Sequence, residues 1–99
     1  MKRVLIERKI PGASRLTATE LAELAAAVNA VAAHLGVPYT WVTSYVAGDK
    51  IYCLHEVLDV HDVLEHSRRA GLPADLVVEV AVELGPEHAT TESGRSCAP

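Results

Sequence analysis

Phenylalanine is absent from this chain, and cysteine is rare. The 99 residues include 3 Tyr, 1 Trp and 2 Cys, while 49% are hydrophobic. The length predicts one domain, and the hydrophobic fraction excludes a disordered chain. Most of the hydrophobic residues are Val, Leu and Ala, so we expect an aliphatic core. Cys53 lies in a predicted strand and Cys97 in a polar tail, which is typical of reduced thiols and not of a disulfide framework.

The chain also has no excess of positive charge and no long apolar run. Its formal net charge is −4, whereas a protein that binds nucleic acid through the phosphates needs a basic stripe, so we do not expect a nucleic-acid partner. The apolar run Val4–Ile6 is shorter than a signal-peptide core of about 7 residues or more. The segment Leu21–Leu35 is shorter than a membrane span of about 20 residues. We therefore expect a cytoplasmic protein without a membrane partner.

Local signals in the first half of the chain predict a strand followed by a helix. Arg3–Lys9 alternates between apolar and polar residues, and Pro11 ends this strand. Thr17 and Glu20 have the spacing of a helix capping box. Apolar residues then recur at helical spacing as far as Gly36, a natural C-terminal cap.

Signals in the second half predict another helix and a last strand. Asp59 can cap a helix that Gly71 closes. The last strand runs over Leu76–Leu84. The polar residues 85–99 are predicted to form a disordered tail after a single domain of residues 1–84. The predicted inner stripe of the second helix consists of Val60, Val63, Leu64, Ser67 and Ala70.

The region between the two helices predicts a β-hairpin that carries polar and aromatic residues on one face. We expect a three-residue loop at Gly48–Lys50. This loop pairs Ala47 with Ile51, Tyr45 with Cys53, Thr43 with His55 and Trp41 with Val57. One face of the hairpin then carries Trp41, Tyr45, Cys53 and His55. The opposite face, which we expect to pack on the helices, carries Val42, Ser44, Val46, Tyr52 and Leu54.

The order of elements is strand, helix, strand, strand, helix, strand. This order predicts an α+β fold, the ferredoxin-like βαββαβ sandwich with a four-stranded antiparallel sheet. Right-handed crossovers place the first strand between the third and the fourth, with the second strand at an edge. Both helices then cover one face of the sheet, and the other face stays open unless a second subunit or a ligand covers it.

Two acidic residues and a histidine are predicted to share that open face. We expect Glu7, His55 and Glu79 on three adjacent strands, about 5 Å apart from strand to strand if their heights match. Two carboxylates and an imidazole suit a divalent first-row metal such as nickel, zinc or manganese. The alternative is a set of solvated side chains, or a hydrogen-bond network at a dimer interface.

Three further residues are candidate metal ligands: Cys53, Tyr45 and His66. Cys53, next to Tyr45 in the predicted register, is either a soft ligand or a small packing residue. His66 follows Asp62 by four positions, so the two share a helix face. That pair is either a support for a metal site or an ordinary exposed helix pair.

Short motifs spread over residues 3–82 form a distinctive set when they are taken together. They are Val4-Leu5-Ile6-Glu7-Arg8, Trp41, Ser44-Tyr45-Val46, Asp49-Lys50, Tyr52-Cys53, Glu65-His66, Arg68-Arg69, Gly71-Leu72-Pro73 and Val78-Glu79-Val80. The set resembles a family of short bacterial proteins that was named as a domain of unknown function and includes a nickel-binding protein. The resemblance implies a ferredoxin-like homodimer that binds nickel or a similar divalent ion, with no established catalytic activity.

One position departs from the family pattern. Family members often have a histidine immediately before the Ser-Tyr pair, where this chain has Thr43, and a tyrosine where it has His55. Because Thr43 and His55 face each other in the predicted register, with Cβ atoms about 4.5 to 5.5 Å apart, the imidazole has either moved across the strand pair or the site is lost.

Two other functions stay open. His55 with Glu7 or Glu79 could perform acid–base chemistry on a small molecule, as dimeric ferredoxin-like enzymes do, and this hypothesis predicts an apolar pocket at His55. The third hypothesis is a plain dimerisation module. We find no phosphate-binding glycine loop, zinc knuckle or serine elbow in the sequence.

Overall fold

The computed structural model describes residues 1–89, and within this range four strands and two α-helices form the fold. The elements are β1 Lys2–Lys9, α1 Ala18–Ala33, β2 Tyr39–Ala47, β3 Lys50–Val57, α2 Val60–Ala70 and β4 Leu76–Glu79. Short 3-10 helices span Ala13–Arg15 and Pro86–Ala89. The rest of the predicted tail, residues 90–99, lies outside the described residues.

The sheet is antiparallel with the strand order β2-β3-β1-β4, so the first strand lies between the third and the fourth. The predicted ferredoxin-like α+β fold is therefore confirmed. Val4 in β1 pairs with His55 on one side and with Glu79 on the other. His55 and Glu79 thus lie in one row across the sheet, two strand spacings or about 10 Å apart, with Val4 between them.

The helix ends follow the local signals. The Thr17 side chain accepts a hydrogen bond from the Glu20 backbone N–H, and the Glu20 carboxylate accepts one from the Thr17 N–H, which is the predicted capping box. Helix α1 ends at Ala33 with His34 as its cap, just before Gly36. Asp59 caps α2, and the helix closes at Gly71, whose φ of 71° is in the left-handed region that glycine adopts without strain.

The predicted three-residue hairpin loop is wrong. The loop between β2 and β3 contains two residues, Gly48 and Asp49, so Ala47 pairs with Lys50. Gly48 has a φ of +61°, as the first residue of a tight two-residue loop can require. The pairs that result include Ser44 with Cys53, Thr43 with Leu54, and Trp41 with His55, with a bulge between Trp41 and Thr43.

The loop is held by the segment that follows β1. The backbone N–H groups of Ile10 and Ser14 donate to the carbonyl oxygens of Asp49 and Gly48, at 2.8 and 3.0 Å. The Gly12 N–H donates to the Asp49 carboxylate at 2.8 Å. These partners are distant from the hairpin in the chain, so the hairpin sequence alone does not predict these hydrogen bonds.

The expectation that Cys53 and His55 lie on the open face is also wrong. They are buried on the helix side of β3, together with Ile51 and Val57. Side chains alternate along a strand, so the burial of the two aliphatic residues carries Cys53 and His55 inward as well. The open face of the sheet contains Arg3, Leu5, Glu7, Thr43, Tyr45, Tyr52, Leu54, Glu56, Leu76 and Val78.

The last strand differs from its prediction in length and in orientation. It ends at Glu79, and Val82 and Leu84 beyond it are exposed. Val77 packs against the core on the helix side, in register with Ile6. Glu79 has the same parity, so it lies on the helix side of the edge strand and not on the open face.

The core consists of aliphatic side chains between the sheet and the helices, as predicted. On α2 the predicted inner stripe is only partly right, because Leu64 is exposed while His66 is buried beside Val63 and Ser67. Within residues 1–89, none of the helices combines the length and the apolar character needed to cross a membrane. The buried cluster around the core contains Val4, Ile6, Ala13, Ile51, Cys53, Val57 and Val63.

Candidate functional site

Three ionisable side chains lie inside this aliphatic core. Arg8 is 1% exposed, and His55 and His66 are each 0% exposed. Arg8 follows Val4 and Ile6 on the inward side of β1, so the alternation of the strand carries a guanidinium into the core. Buried polar groups are costly unless they are paired, so the contacts of these residues decide what the site can do.

Three rings form the centre of the site. The Tyr39 hydroxyl and His55 Nδ1 share a hydrogen bond of 2.5 Å. The Tyr39 ring stacks on the His66 ring, with centroids 4.5 Å apart and planes 8° apart. The His55 and His66 rings meet edge to face with centroids 5.4 Å apart. Residues from β2, β3 and α2 thus hold the two imidazoles next to each other.

In the part of the chain that the structure describes, each histidine has one ring nitrogen that forms a hydrogen bond and one that is buried without a hydrogen-bond partner. His66 Nε2 lies 3.0 Å from the carbonyl oxygen of Val28. A carbonyl only accepts, so Nε2 carries the hydrogen and Nδ1 of the neutral ring has a free lone pair. Within residues 1–89 no partner contacts His66 Nδ1 or His55 Nε2.

Both imidazoles are neutral at physiological pH. Burial, followed by the nearby His66 and Arg8, lowers the pKa of His55 to about 3. Burial also lowers the pKa of His66, against the opposing effect of its bond to Val28. Burial raises the pKa of Tyr39 above its ordinary value, so the phenol keeps its proton. The site therefore presents neutral rings, which is the form in which imidazole binds metals.

Arg8 forms hydrogen bonds but has no carboxylate partner in the part of the chain that the structure describes. Its Nε donates to Cys53 Sγ at 3.4 Å, and its Nη1 donates to Ser67 Oγ at 2.9 Å and to the Pro73 carbonyl at 2.8 Å. Cys53 Sγ also accepts from Ser44 Oγ at 3.1 Å. The remaining nitrogen, Arg8 Nη2, is buried without a partner within residues 1–89.

A pocket with a volume of about 210 Å³ opens beside this cluster. Arg8, Cys53 and His55 contribute to its polar side, and aliphatic residues of α1 and of the hairpin form most of the rest. The small-molecule hypothesis predicts an apolar pocket at His55, and the structure has one there. The aliphatic residues of the lining are Leu21, Leu24, Ala25, Val28, Val46, Ile51 and Leu72.

The structure brings together only part of the predicted metal site. His55, Cys53 and His66 lie on the helix side, and His66 is a buried residue rather than an exposed partner of Asp62. Within residues 1–89 no group of three or more His, Cys, Asp or Glu side chains is arranged to hold a metal ion. The predicted facing of Thr43 and His55 is wrong, because Trp41 takes that place.

The other predicted ligands lie elsewhere. Glu7 is on the open face, where its carboxylate lies 3.5 Å from Lys50 Nζ. Tyr45 is exposed on the same face, opposite Tyr52. Glu79 shares the helix side with His55 but is exposed on the edge strand, beyond Val4. The common face predicted for Glu7 with His55 is therefore wrong.

Sequence reasoning missed Arg8 and Tyr39 as members of the site. For Arg8 a signal was present, because a charged residue stands at the third inward position of a strand after Val4 and Ile6. For His66 the signal was its spacing of three from Val63, which places both on one helix face. The place of Tyr39 depends on the register of the hairpin, for which the prediction from the sequence was wrong.

The geometry can be compared with known proteins. The family model described as "Nickel responsive protein SCO4226-like" matches residues 5–80. The chain belongs to this family. The match confirms the resemblance noted from the sequence motifs, and it includes every residue of the SCO4226-like chain's buried polar cluster.

A solved structure supports the same assignment. The crystal structure of SCO4226 from Streptomyces coelicolor A3(2) resembles this SCO4226-like chain with a TM-score of 0.68 and 25% sequence identity. The similarity covers 83% of this chain and 99% of the other. Among curated proteins, none matches the chain.

Proposed function

We propose that this SCO4226-like protein binds a divalent metal ion, nickel first, without catalysing a reaction, and that His55 and His66 supply the nitrogen ligands. The observation that carries the proposal is the pair of adjacent buried imidazoles, each with one ring nitrogen that lacks a partner among the described residues 1–89. The family description as nickel responsive supports nickel as the first metal to test.

The hydrogen bonds of the two rings support this assignment. A histidine that binds a metal usually donates its other ring N–H to an oxygen, which orients the ring. His66 already donates Nε2–H to the Val28 carbonyl. For His55 to bind through Nε2, its Nδ1 donates to the hydroxyl oxygen of Tyr39, with which it is already in contact.

Cys53 is the third ligand in the proposal, and it joins the two histidines only when side chains rearrange on binding, because residues 1–89 contain no preformed group of three ligands. It lies two residues before His55 on the same side of β3, about 7 Å away along the strand. Imidazole and thiolate together suit nickel and other late first-row ions. Glu7, Glu79 and Tyr45 are not part of this ligand set, because the fold separates them from the two histidines.

The positive charge of Arg8 affects how a metal ion can bind at this site. This positive charge contacts Cys53 Sγ and opposes a dication in the same low-dielectric interior. A thiolate at Cys53 offsets that repulsion, and a thiol loses its proton when it binds a metal. The proposal therefore includes release of a proton on binding.

The open face is the proposed contact surface of a homodimer. Its central residues are apolar and partly exposed, among them Leu5, Leu76 and Val78. Two ion pairs lie on this face, Arg3 with Glu56 at one end and Glu7 with Lys50 at the other. An exposed apolar patch on a sheet is a common site of association, which supports this face as the surface on which a second copy packs.

Calorimetric titration of chelator-treated protein with nickel, zinc and cobalt tests the proposal. We expect saturable nickel binding at one ion per chain, with a binding enthalpy that changes with the ionisation enthalpy of the buffer because a proton is released. A titration without saturable heat for any of the three ions would refute it.

A further inference from the structure

We propose that the pocket beside Arg8 binds a small amphipathic carboxylic acid in its anionic form. This inference does not depend on the nickel proposal, because it concerns the metal-free protein and its main anchor is Arg8, which is not a proposed metal ligand; the two proposals share only His55. The carboxylate group contacts Arg8, and the apolar body of the ligand lies between α1 and the sheet.

The charge of Arg8 carries the first step. An arginine side chain stays charged at neutral pH and is costly to bury without an opposite charge. Every acceptor that Arg8 contacts is an uncharged oxygen or the sulfur of Cys53, and no acidic side chain pairs with it within residues 1–89. A ligand carboxylate would supply the missing opposite charge.

Unused hydrogen-bond donors carry the second step. Arg8 Nη2 is buried and has no acceptor among residues 1–89. If the Tyr39 hydroxyl donates to His55 Nδ1, then His55 Nε2 carries a hydrogen and is a second unpartnered donor. This tautomer leaves fewer unpaired groups than the alternative, in which the Tyr39 hydroxyl itself has no acceptor in the described part of the chain. Arg8 and His55 both line the pocket, so one carboxylate can accept from both.

The lining and the volume of the pocket indicate the chemistry and the size of the rest of the ligand. The side formed by Leu21, Leu24 and Val28 of α1 is aliphatic, as is the side formed by Val46 and Ile51 of the hairpin. The volume is about 210 Å³, and an engineered apolar cavity of about 150 Å³ is sufficient to bind benzene. The pocket therefore suits a chain or ring of several carbon atoms and is too small for a folded peptide.

The fluorescence of Trp41 provides a way to measure ligand binding to the pocket. Trp41 lines the pocket and is the single Trp of the chain, so its fluorescence reports the pocket alone. Metal-free protein is titrated with octanoate as the probe. Octanol tests the apolar body without the charge, and acetate tests the charge without the body. We expect saturable quenching or enhancement with octanoate, and affinities at least about tenfold weaker for octanol and for acetate.

Two exposed leucines form a matched pair of variants that leave Arg8 intact. Leu21 lines the pocket and is 37% exposed, whereas Leu64 is on α2, outside the lining, and is 45% exposed. Leu21→Asp places a negative charge at the pocket and should weaken octanoate binding roughly three- to tenfold. Leu21→Lys should not weaken it, and Leu64→Asp should leave it unchanged.

Substitution of Arg8 tests the anchor itself. Arg8→Met removes the charge with little change in volume, and we expect octanoate affinity to fall at least about tenfold while octanol affinity changes little. Circular dichroism checks that this variant is folded, and the Leu21 pair tests the inference if it is not. Equal affinities for octanoate and octanol, or no saturable octanoate signal, would overturn the inference whatever the outcome with nickel.

Discussion

The ring of Tyr39 stacks on the ring of His66 and at the same time contacts His55 through its hydroxyl group. Tyr39 begins β2, His55 is in β3 and His66 is in α2. One tyrosine thus joins three elements and orients both buried imidazoles. The stability of the site should therefore depend on the Tyr39 hydroxyl as well as on its ring.

Removal of that hydroxyl tests this relationship. Tyr39→Phe keeps the stacked ring but leaves His55 Nδ1 without its partner, and a buried polar group that loses its hydrogen bond costs about 1 to 3 kcal/mol. We expect the free energy of unfolding in urea to fall by that amount. Tyr45→Phe is the matched control, because Tyr45 is exposed on the open face, and it should change the stability by less than about 0.5 kcal/mol. Equal effects of the two variants would contradict the role of Tyr39.

Acidification should destabilise the protein through His55. The folded protein holds the pKa of His55 at about 3, below its ordinary value of 6.5. Between these values the unfolded chain binds a proton that the folded chain excludes, so stability falls as the pH drops below about 6.5. Between about pH 7 and about pH 5, protonation of His55 in the unfolded chain should lower the free energy of unfolding by about 2 kcal/mol.

Urea unfolding at both pH values measures this loss, and two variants identify its source. His55→Asn should show a smaller loss than the wild type, since its side chain does not titrate. His61→Gln should keep the wild-type loss, because the His61 ring is exposed on α2. If His55→Asn lost as much stability as the wild type, another group would be responsible.

Isosteric substitutions test the two proposed nitrogen ligands. His66→Gln can still donate to the Val28 carbonyl, and His55→Asn can still contact the Tyr39 hydroxyl, but each lacks the ring nitrogen that would bind the metal. We expect each to weaken nickel binding roughly tenfold or more in calorimetric titration. Glu7→Gln is the control and should bind as the wild type does, because Glu7 lies on the open face. Weakening by Glu7→Gln alone would place the metal on that face instead.

A charge on the open face should disrupt the proposed homodimer. Leu5→Glu introduces a carboxylate that a second copy would bury without a partner, which is strongly unfavourable. We expect light scattering coupled to size exclusion to give a dimer mass for the wild type and a monomer mass for the variant. Leu64→Glu, on an exposed position of α2, should remain dimeric. Dissociation by both variants would mean that the surface is not specific.

The order of the elements and the ends of the helices could be predicted because they depend on local sequence. The capping box at Thr17 and Glu20 involves atoms three residues apart, and the left-handed Gly71 ends its own helix. Strand order followed as well, because right-handed crossovers leave few alternatives for this element order.

The face of the sheet on which each strand residue lies was harder to predict from the sequence. A change of one residue in the hairpin loop alters the pairing of every residue in β2, and the loop length is held by Gly12 and Asp49, which are distant in the chain. The inward side of β3 is decided by Ile51 and Val57 packing on the helices. Cys53 and His55 follow them, and so the metal ligands expected on an open surface are buried.

The sequence by itself determined the βαββαβ order, the aliphatic core and the family, since these reside in short-range spacing and in motifs read along the chain. Only the tertiary structure decided that Arg8, His55 and His66 meet inside the core. Their meeting depends on strand register and on the packing of α2, where long-range contacts outweigh the preference of each charged or polar side chain for water.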